Sequence, residues 1–406
     1  MTAVLGILAL TAIAVALSAN RRAINWRVVG AAFALQAGFA ILVLYLPWGQ
    51  AALRSAALGV QSVINFTDRG TEFLFGDLYQ TENFFSVALN VLPVIIFVSS
   101  LASVLYYVRA MQLLMLVIGG SLRRIVGVTR VESVCAAANI FVGMVESPLV
   151  IRPFLAKLSH SQLFTVMGLG LSSVSGAILV GYASLGIDST YLVAAAFMAA
   201  PGGLMMSKLL HPEDDDHAVD QDHVKADSFD PDNPPANLVQ AAADGAMAGL
   251  RVAVSVGAML ICFVALLALA NAVVGWIGGL AGFDGLTLER MLGWVLAPLM
   301  YLLGIPWEEA VTAGNLVGQK TILNEFVAYV QLAQIRDSLS DHTVAVVTFA
   351  LCGFANLTAL AIIMGGLGNL IPDRRQEVSK LGLRAVLCGT LSNLMSAALA
   401  SILLSL

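Results

Sequence analysis

Glu146 and Glu325 are the side chains best placed to do chemistry, because each stands in a short break within an otherwise apolar chain. Glu146 follows Gly143 and precedes Ser147-Pro148, between apolar arms at 131–142 and 148–158. Either arm is too short to cross a bilayer, which takes about 20 helical residues. Arm, break and arm therefore read as a re-entrant hairpin, or else as a kinked helix with Glu146 at headgroup level. A break at membrane depth is tolerated only inside protein or beside a water-filled cavity. An ionisable group held there marks a functional site. Glu325 stands in a second broken segment, 306–332. As acceptors, both carboxylates suit ligand hydroxyls or N–H donors, and one could carry a coupling proton. The structural alternative pairs them with Arg152 and Lys320. Asn139, with the carbonyls near Val142 and with Ser173, forms either an oxygen set for a small hard cation or ordinary interhelical hydrogen bonds. Asn356 and Thr358 are similarly placed in a later break.

The elements that must position these groups are membrane helices. Of 406 residues, 59% are hydrophobic and only 12% are charged, against about 25% charged in soluble domains. The mean hydropathy is +0.86. The net charge of -5 comes largely from the acidic stretch 211–237. That stretch reads as a solvated loop, and its histidines (His211, His217, His223) as part of it rather than as metal ligands. The four cysteines sit in apolar runs without paired spacing, so neither a disulfide framework nor a zinc site is expected. No Gly-x-Ser-x-Gly or His-Glu-x-x-His motif is present, no strand precedes the glycine runs at 202–203 and 365–368, and no basic aromatic patch suggests nucleic acid. An enzyme ranks well below a transporter.

Apolar runs at 4–18, 28–46, 84–108, 163–185, 191–210, 250–277, 343–370 and 385–404 give about eight crossings. Those at 163–185 and 343–370 are interrupted by small polar residues. Segments 50–67, 111–126 and 286–303 have interfacial character. Lys and Arg clusters at 21–27, 109–130, 208 and 374–384 fall on one face, the cytoplasmic one, if both termini are outside. The two hairpins then enter from opposite faces. Residues 127–143 and 304–318 also match in order: Gly127 with Gly304, Glu132 with Glu309, Asn139 with Asn315, Gly143 with Gly318. Glu132 and Glu309 read as helix caps, Thr129-x-x-Glu132 as a capping box and Pro306 as a helix start. Inverted repeats with broken helices at the midplane are the architecture of secondary transporters. A channel would need a continuous pore with repeated weak sites.

The runs AAANIFVGxxESPLVIRPFL from Ala136, NEFVAY at 324–329 and CGFANLTALAIIMGGLG at 352–368 resemble the concentrative nucleoside transporter family, as do YLPWGQ at 45–50 and TLSNLM at 390–395. The resemblance implies an all-α, multi-pass protein of the plasma membrane (a bacterial inner membrane) that imports nucleosides with a co-transported sodium ion and assembles as a homotrimer. It implies scaffold helices over 1–110, a first transport-domain repeat over 111–210, an acidic cytoplasmic loop over 211–237, a long scaffold helix over 238–283 and a second transport-domain repeat over 284–406. It places ribose contacts on Glu325 and Asn356 with Phe354 nearby, and a base-facing acid on Glu146. It places sodium on Asn139, Ser173 and the carbonyls of Val142 and Val174. Three positions depart from the family. Met144-Val145 stand where Gln-Thr is common, and Ala359 where a serine is common; Gln319 could supply a compensating amide. Losing hydrogen-bond partners changes discrimination more than gross binding, so base preference is open. The alternatives are proton coupling, or a related ribosyl or non-nucleoside ligand.

Overall fold

The structure is a computed structural model that describes residues 2–76, 87–213, 235–280, 282–283 and 285–405. Most of the acidic stretch, with His217 and His223, and the acids Glu82 and Asp284 therefore lie outside the described residues. All regular elements among the described residues are helical. They are α1 (Thr2–Ala16), α2 (Trp26–Ala40), α3 (Pro47–Phe75), α4 (Leu92–Tyr107), α5 (Ala110–Val126), α6 (Arg130–Asn139), α7 (His160–Ser172), α8 (Gly176–Ser184) and α9 (Ser189–Leu210). After the acidic stretch come α10 (Leu238–Leu280), α11 (Leu288–Leu302), α12 (Trp307–Ile322), α13 (Glu325–Ile335), α14 (Asp341–Leu351), α15 (Leu357–Leu370) and α16 (Arg375–Leu404).

Six of these segments are long and apolar enough to span a membrane, counting α7 and α8 together. The other two crossings read from the sequence are α1 and the broken pair α14–α15, whose separate helices are shorter. The helices given interfacial character are amphipathic. In α3 the buried residues are Gly49, Leu53, Ala57, Ile64, Thr67 and Thr71, and in α5 they are Met111, Met115, Gly119, Leu122 and Val126. Spacings of three, four and seven put each set on one helix face.

Burial divides the long helices. In α9, 94% of the apolar window is buried; in α10, 6% is. The core is therefore α7–α9 and α16 with the hairpins, and α10 lies outside it along α4. Close approach of α10 to α4 relies on small residues: a Cβ at Gly245 or Gly249 would strike Ser99, Ser100 or Ser103, the small-residue contact typical of membrane helices. The first two helices pack on the core as well, α1 along α16 and α2 along α9.

Each hairpin has a distinct local cause. Thr129 and Glu132 form the reciprocal capping box that starts α6. The helix ends at Asn139, and residues 140–146 turn the chain into a 3₁₀ stretch, Ser147–Lys157, opened by Pro148 and interrupted at Ile151. In the second hairpin Pro306 is the N-cap residue, one position before α12. Leu323 makes the turn, and Asn324 caps α13 by accepting from the Val327 N–H. The chain bends by 119° between α11 and α12, where Gly293 and Gly314 leave room for the two helices to touch. Glu309, in the first turn of α12, accepts from the Ser340 N–H and hydroxyl, tying that turn to the N-cap of α14.

Candidate functional site

The second halves of both broken helices, and of the second hairpin, begin at one place. Ser175 caps α8, Asn324 caps α13 and Asn356 caps α15. All three residues line a single cavity of about 380 Å³. A helix N-terminus carries roughly half a positive charge and unpaired N–H groups. Three of them converging make a polar centre without a buried cation. The cavity is bounded on its far side by α10, through Val252, Ser255, Val256 and Leu260, with Arg251 at its edge.

Glu325 sits at the centre of this arrangement. As the first residue of α13 it is 5% exposed. Its Oε1 accepts from the Tyr182 hydroxyl at 2.8 Å, and its Oε2 accepts from Asn356 Nδ2 at 2.8 Å. Asn356 Oδ1 accepts in turn from the Ala359 N–H at 2.6 Å, which fixes the amide with its N–H side toward the carboxylate. The anion is thus balanced by a helix N-terminus and two neutral donors. Among the described residues it forms no ion pair with Lys320, whose ammonium donates to the Ala350 carbonyl and to Asn393 Oδ1. Glu325 and Lys320 thus make no direct contact, although the two charges attract each other at longer range.

Glu146 reaches the same cavity from the first hairpin, together with Met144 and Val145. Gly143 lets the Glu146 carboxylate fold back against the turn, where a Cβ would make it shift. Met144 packs on Gly170 of α7 and Val145 on Gly366 of α15, so the apolar tip is wedged between two helices while it lines the cavity. Phe354 and Ala359 line the cavity too, and Thr358 does so while donating to the Leu323 carbonyl. Gln319 is placed differently. It is buried within the second hairpin, where its Nε2 donates to Gln331 Oε1 at 2.6 Å, and it is not among the cavity-lining residues. The amide missing from the first tip is not replaced by this side chain.

Asn139 and Ser173 meet at the opposite kind of helix end. Asn139 closes α6 and Ser173 follows the last residue of α7. The Ser173 hydroxyl donates to the Asn139 carbonyl at 2.9 Å. Both side-chain atoms of the Asn139 amide are buried without a hydrogen-bond partner, an arrangement that costs about 1–3 kcal/mol per group unless something occupies it. Val174 is fully buried beside them, and Val142 lies in the turn that follows α6. Carbonyl ends of two helices and an unpaired amide oxygen suit a small hard cation.

Glu132 acts as the cap read from the sequence and has a second partner that sequence reading missed. Lys208, in the last turn of α9, lies 2.6 Å from it and 3.0 Å from Glu213. Tyr182 was missed as well. It stands in an apolar run and joins Glu325 from 143 positions away, so no local spacing signals it.

Comparisons with known proteins cover the whole chain. Residues 5–78 match the model described as Na+ dependent nucleoside transporter N-terminus, 88–188 match nucleoside recognition, and 191–401 match Na+ dependent nucleoside transporter C-terminus. Nucleoside permease NupC of Helicobacter pylori is 45% identical over 99% of this chain and 97% of its own length. The structure of CNTnw in an inward-facing, substrate-bound state is 46% identical and covers 100% of this chain and 97% of that one, with a TM-score of 0.94. A CNTnw variant in an outward-facing state is 45% identical, covers 100% and 98%, and has a TM-score of 0.95. With cavity, capped half-helices and paired hairpins in place, the chain belongs to the concentrative nucleoside transporter family and is a membrane transporter, not an enzyme.

Proposed function

We propose that this protein is a sodium-driven symporter that imports nucleosides, its hairpins and broken helices moving as a body past α4 and α10. The observation that carries the reading is the convergence of Glu325, Asn356 and Glu146 on one cavity. A carboxylate held by neutral donors can accept from ribose hydroxyls. Asn356 spends its Oδ1 on a backbone N–H, which leaves its remaining amide N–H for a ligand oxygen. Glu146, exposed into the cavity, accepts from N–H groups of the base. Sodium would sit at Asn139, Ser173 and the carbonyls of Val142 and Val174, where it orders the end of α6 and hence the tip that carries Glu146. This couples the ion to the ligand: without the ion the tip is looser, and the ligand loses one wall of its site. The wide exposed apolar surface of α10 supports assembly of copies of the chain, a homotrimer by the family's example.

The experiment is uptake of radiolabelled uridine and inosine into proteoliposomes under an inward sodium gradient, a pH gradient, or neither. Uptake that follows sodium supports the reading. Uptake that ignores sodium and follows the pH gradient replaces it with proton coupling. Absence of both, with competition by other ribosyl compounds, moves the ligand outside the common nucleosides.

A further inference from the structure

The geometry points to Lys320 as a tethered cation that neutralises the carbonyl ends of the two broken helices and so positions Glu325 and the breaks. Its ammonium is 1% exposed and makes no ion pair among the described residues. It donates to the Ala350 carbonyl at 2.8 Å and to Asn393 Oδ1 at 2.7 Å. Asn393 passes the interaction on: its Nδ2 donates to the Ser172 carbonyl at 2.6 Å and to the Cys352 carbonyl at 2.8 Å. Ala350 and Cys352 mark the end of α14, and Ser172 is the last residue of α7. Each helix C-terminus is equivalent to roughly half a negative charge. Two of them sum to about one, which a single ammonium matches. A buried cation with no carboxylate in contact is otherwise unfavourable; the oriented carbonyls, together with the longer-range attraction of Glu325, are what makes this one stable.

The two repeats then solve one problem in two ways. Where α6 and α7 end, the hairpin offers Asn139 with an unpaired amide. Where α12 and α14 end, the last turn of α12 offers Lys320, a cation bound to the chain. The parallel with Asn139 rests on the sodium reading above; the charge balance at Lys320 does not.

The test uses purified full-length protein in detergent and needs no substrate. Lys320→Ala is expected to lower the thermal unfolding midpoint by about 5 °C or more. Ethylammonium chloride at millimolar concentration, which supplies the missing ammonium, should restore at least half of that loss in Lys320→Ala and leave the wild type unmoved. Lys320→Met, which fills the volume without charge, should be equally destabilised and should not respond. Recovery of folded Lys320→Ala only when ethylammonium is present during purification counts as the expected result. Lys320→Met as stable as the wild type, or a folded Lys320→Ala that ethylammonium does not restabilise beyond sodium chloride, overturns the proposal. A wild type that shows no sodium-driven uptake defeats the sodium reading and leaves this measurement standing.

Discussion

The two hairpins share an order of residues, yet they differ in how regularly they are built. The second is regular: α12 runs unbroken to Ile322, Asn324 caps α13, and Glu325, Lys320 and the Nε2 of Gln319 are hydrogen-bonded within the protein. The first is irregular: α6 stops at Asn139, a seven-residue turn follows, and the return arm is 3₁₀ with a non-helical residue at Ile151. It leaves the Asn139 amide and the Ser147 hydroxyl buried without partners. A native fold keeps few such groups. The second hairpin keeps such atoms too, Asn315 Oδ1 and Gln319 Oε1, but in the first both ends of one amide, Asn139, stay open beside the carbonyl ends of α6 and α7.

The largest effect is expected in the second hairpin. Glu325→Gln keeps the shape but gives the site an amide where it has an anion, and replaces an acceptor facing Asn356 Nδ2 by a mixed group. Loss of charge-assisted bonds worth about 1.5–3 kcal/mol each should reduce uridine uptake on the order of 100-fold. Size-exclusion elution and thermal midpoint should stay near those of the wild type. Uptake within a few-fold of wild type would remove Glu325 from the ligand site.

Next comes the first hairpin. Asn139→Ala removes the unpaired amide and so relieves a buried polar group while deleting a proposed ion ligand. The two roles predict opposite signs. If the amide is only an unsatisfied group, the variant should be more stable and transport normally. As an ion ligand, its loss should raise the sodium concentration for half-maximal uptake by about tenfold, and sodium should no longer raise the melting temperature. Titrating sodium in both assays decides between these outcomes.

A smaller effect is expected from Tyr182→Phe. It deletes one neutral donor to Glu325 and leaves the ring packed on Phe326 and Tyr329. A hydrogen bond of about 1 kcal/mol should appear as a roughly fivefold rise in KM for uridine. An unchanged KM would mean that Asn356 and the start of α13 orient the carboxylate unaided.

How much of this was legible in the sequence follows from the range of each signal. Breaks in apolar runs are local, so both hairpins, both broken helices and the capping box at Thr129 could be read directly, with boundaries that the helices largely keep. The charge of Lys320 was visible, but its partner was not. Sequence proximity pointed to Glu325, whereas folding brings Asn393 and the Ala350 carbonyl to it. Tyr182, Lys208 and the α10 wall at Ser255 are long-range pairings inside apolar stretches, and no periodicity encodes which side chain of such a stretch faces inward. Gln319 shows the reverse error. An amide near a tip reads as available, but helix phase turns it onto Gln331 and away from the cavity.

The smallest predicted effect falls on the first hairpin's tip, where Met144 and Val145 replace two hydrogen-bonding residues common in the family. Both residues also pack, Met144 on Gly170 and Val145 on Gly366, so an altered tip risks reading as a packing defect. The substitutions Met144→Gln and Val145→Thr keep length and branching, and therefore test hydrogen bonding more than volume. An added amide and hydroxyl would face the base only if the tip lies against it, as Glu146 on the same turn requires. The double variant should then shift the relative competition of purine and pyrimidine nucleosides against labelled uridine by about twofold to threefold, with the sodium dependence unmoved because Asn139 and Ser173 are untouched. A uniform change across all competitors would show that the tip acts as a wall. A change in sodium dependence without a change in preference would show that the tip and the cation site are one mechanical unit, and that the base is read from elsewhere in the cavity.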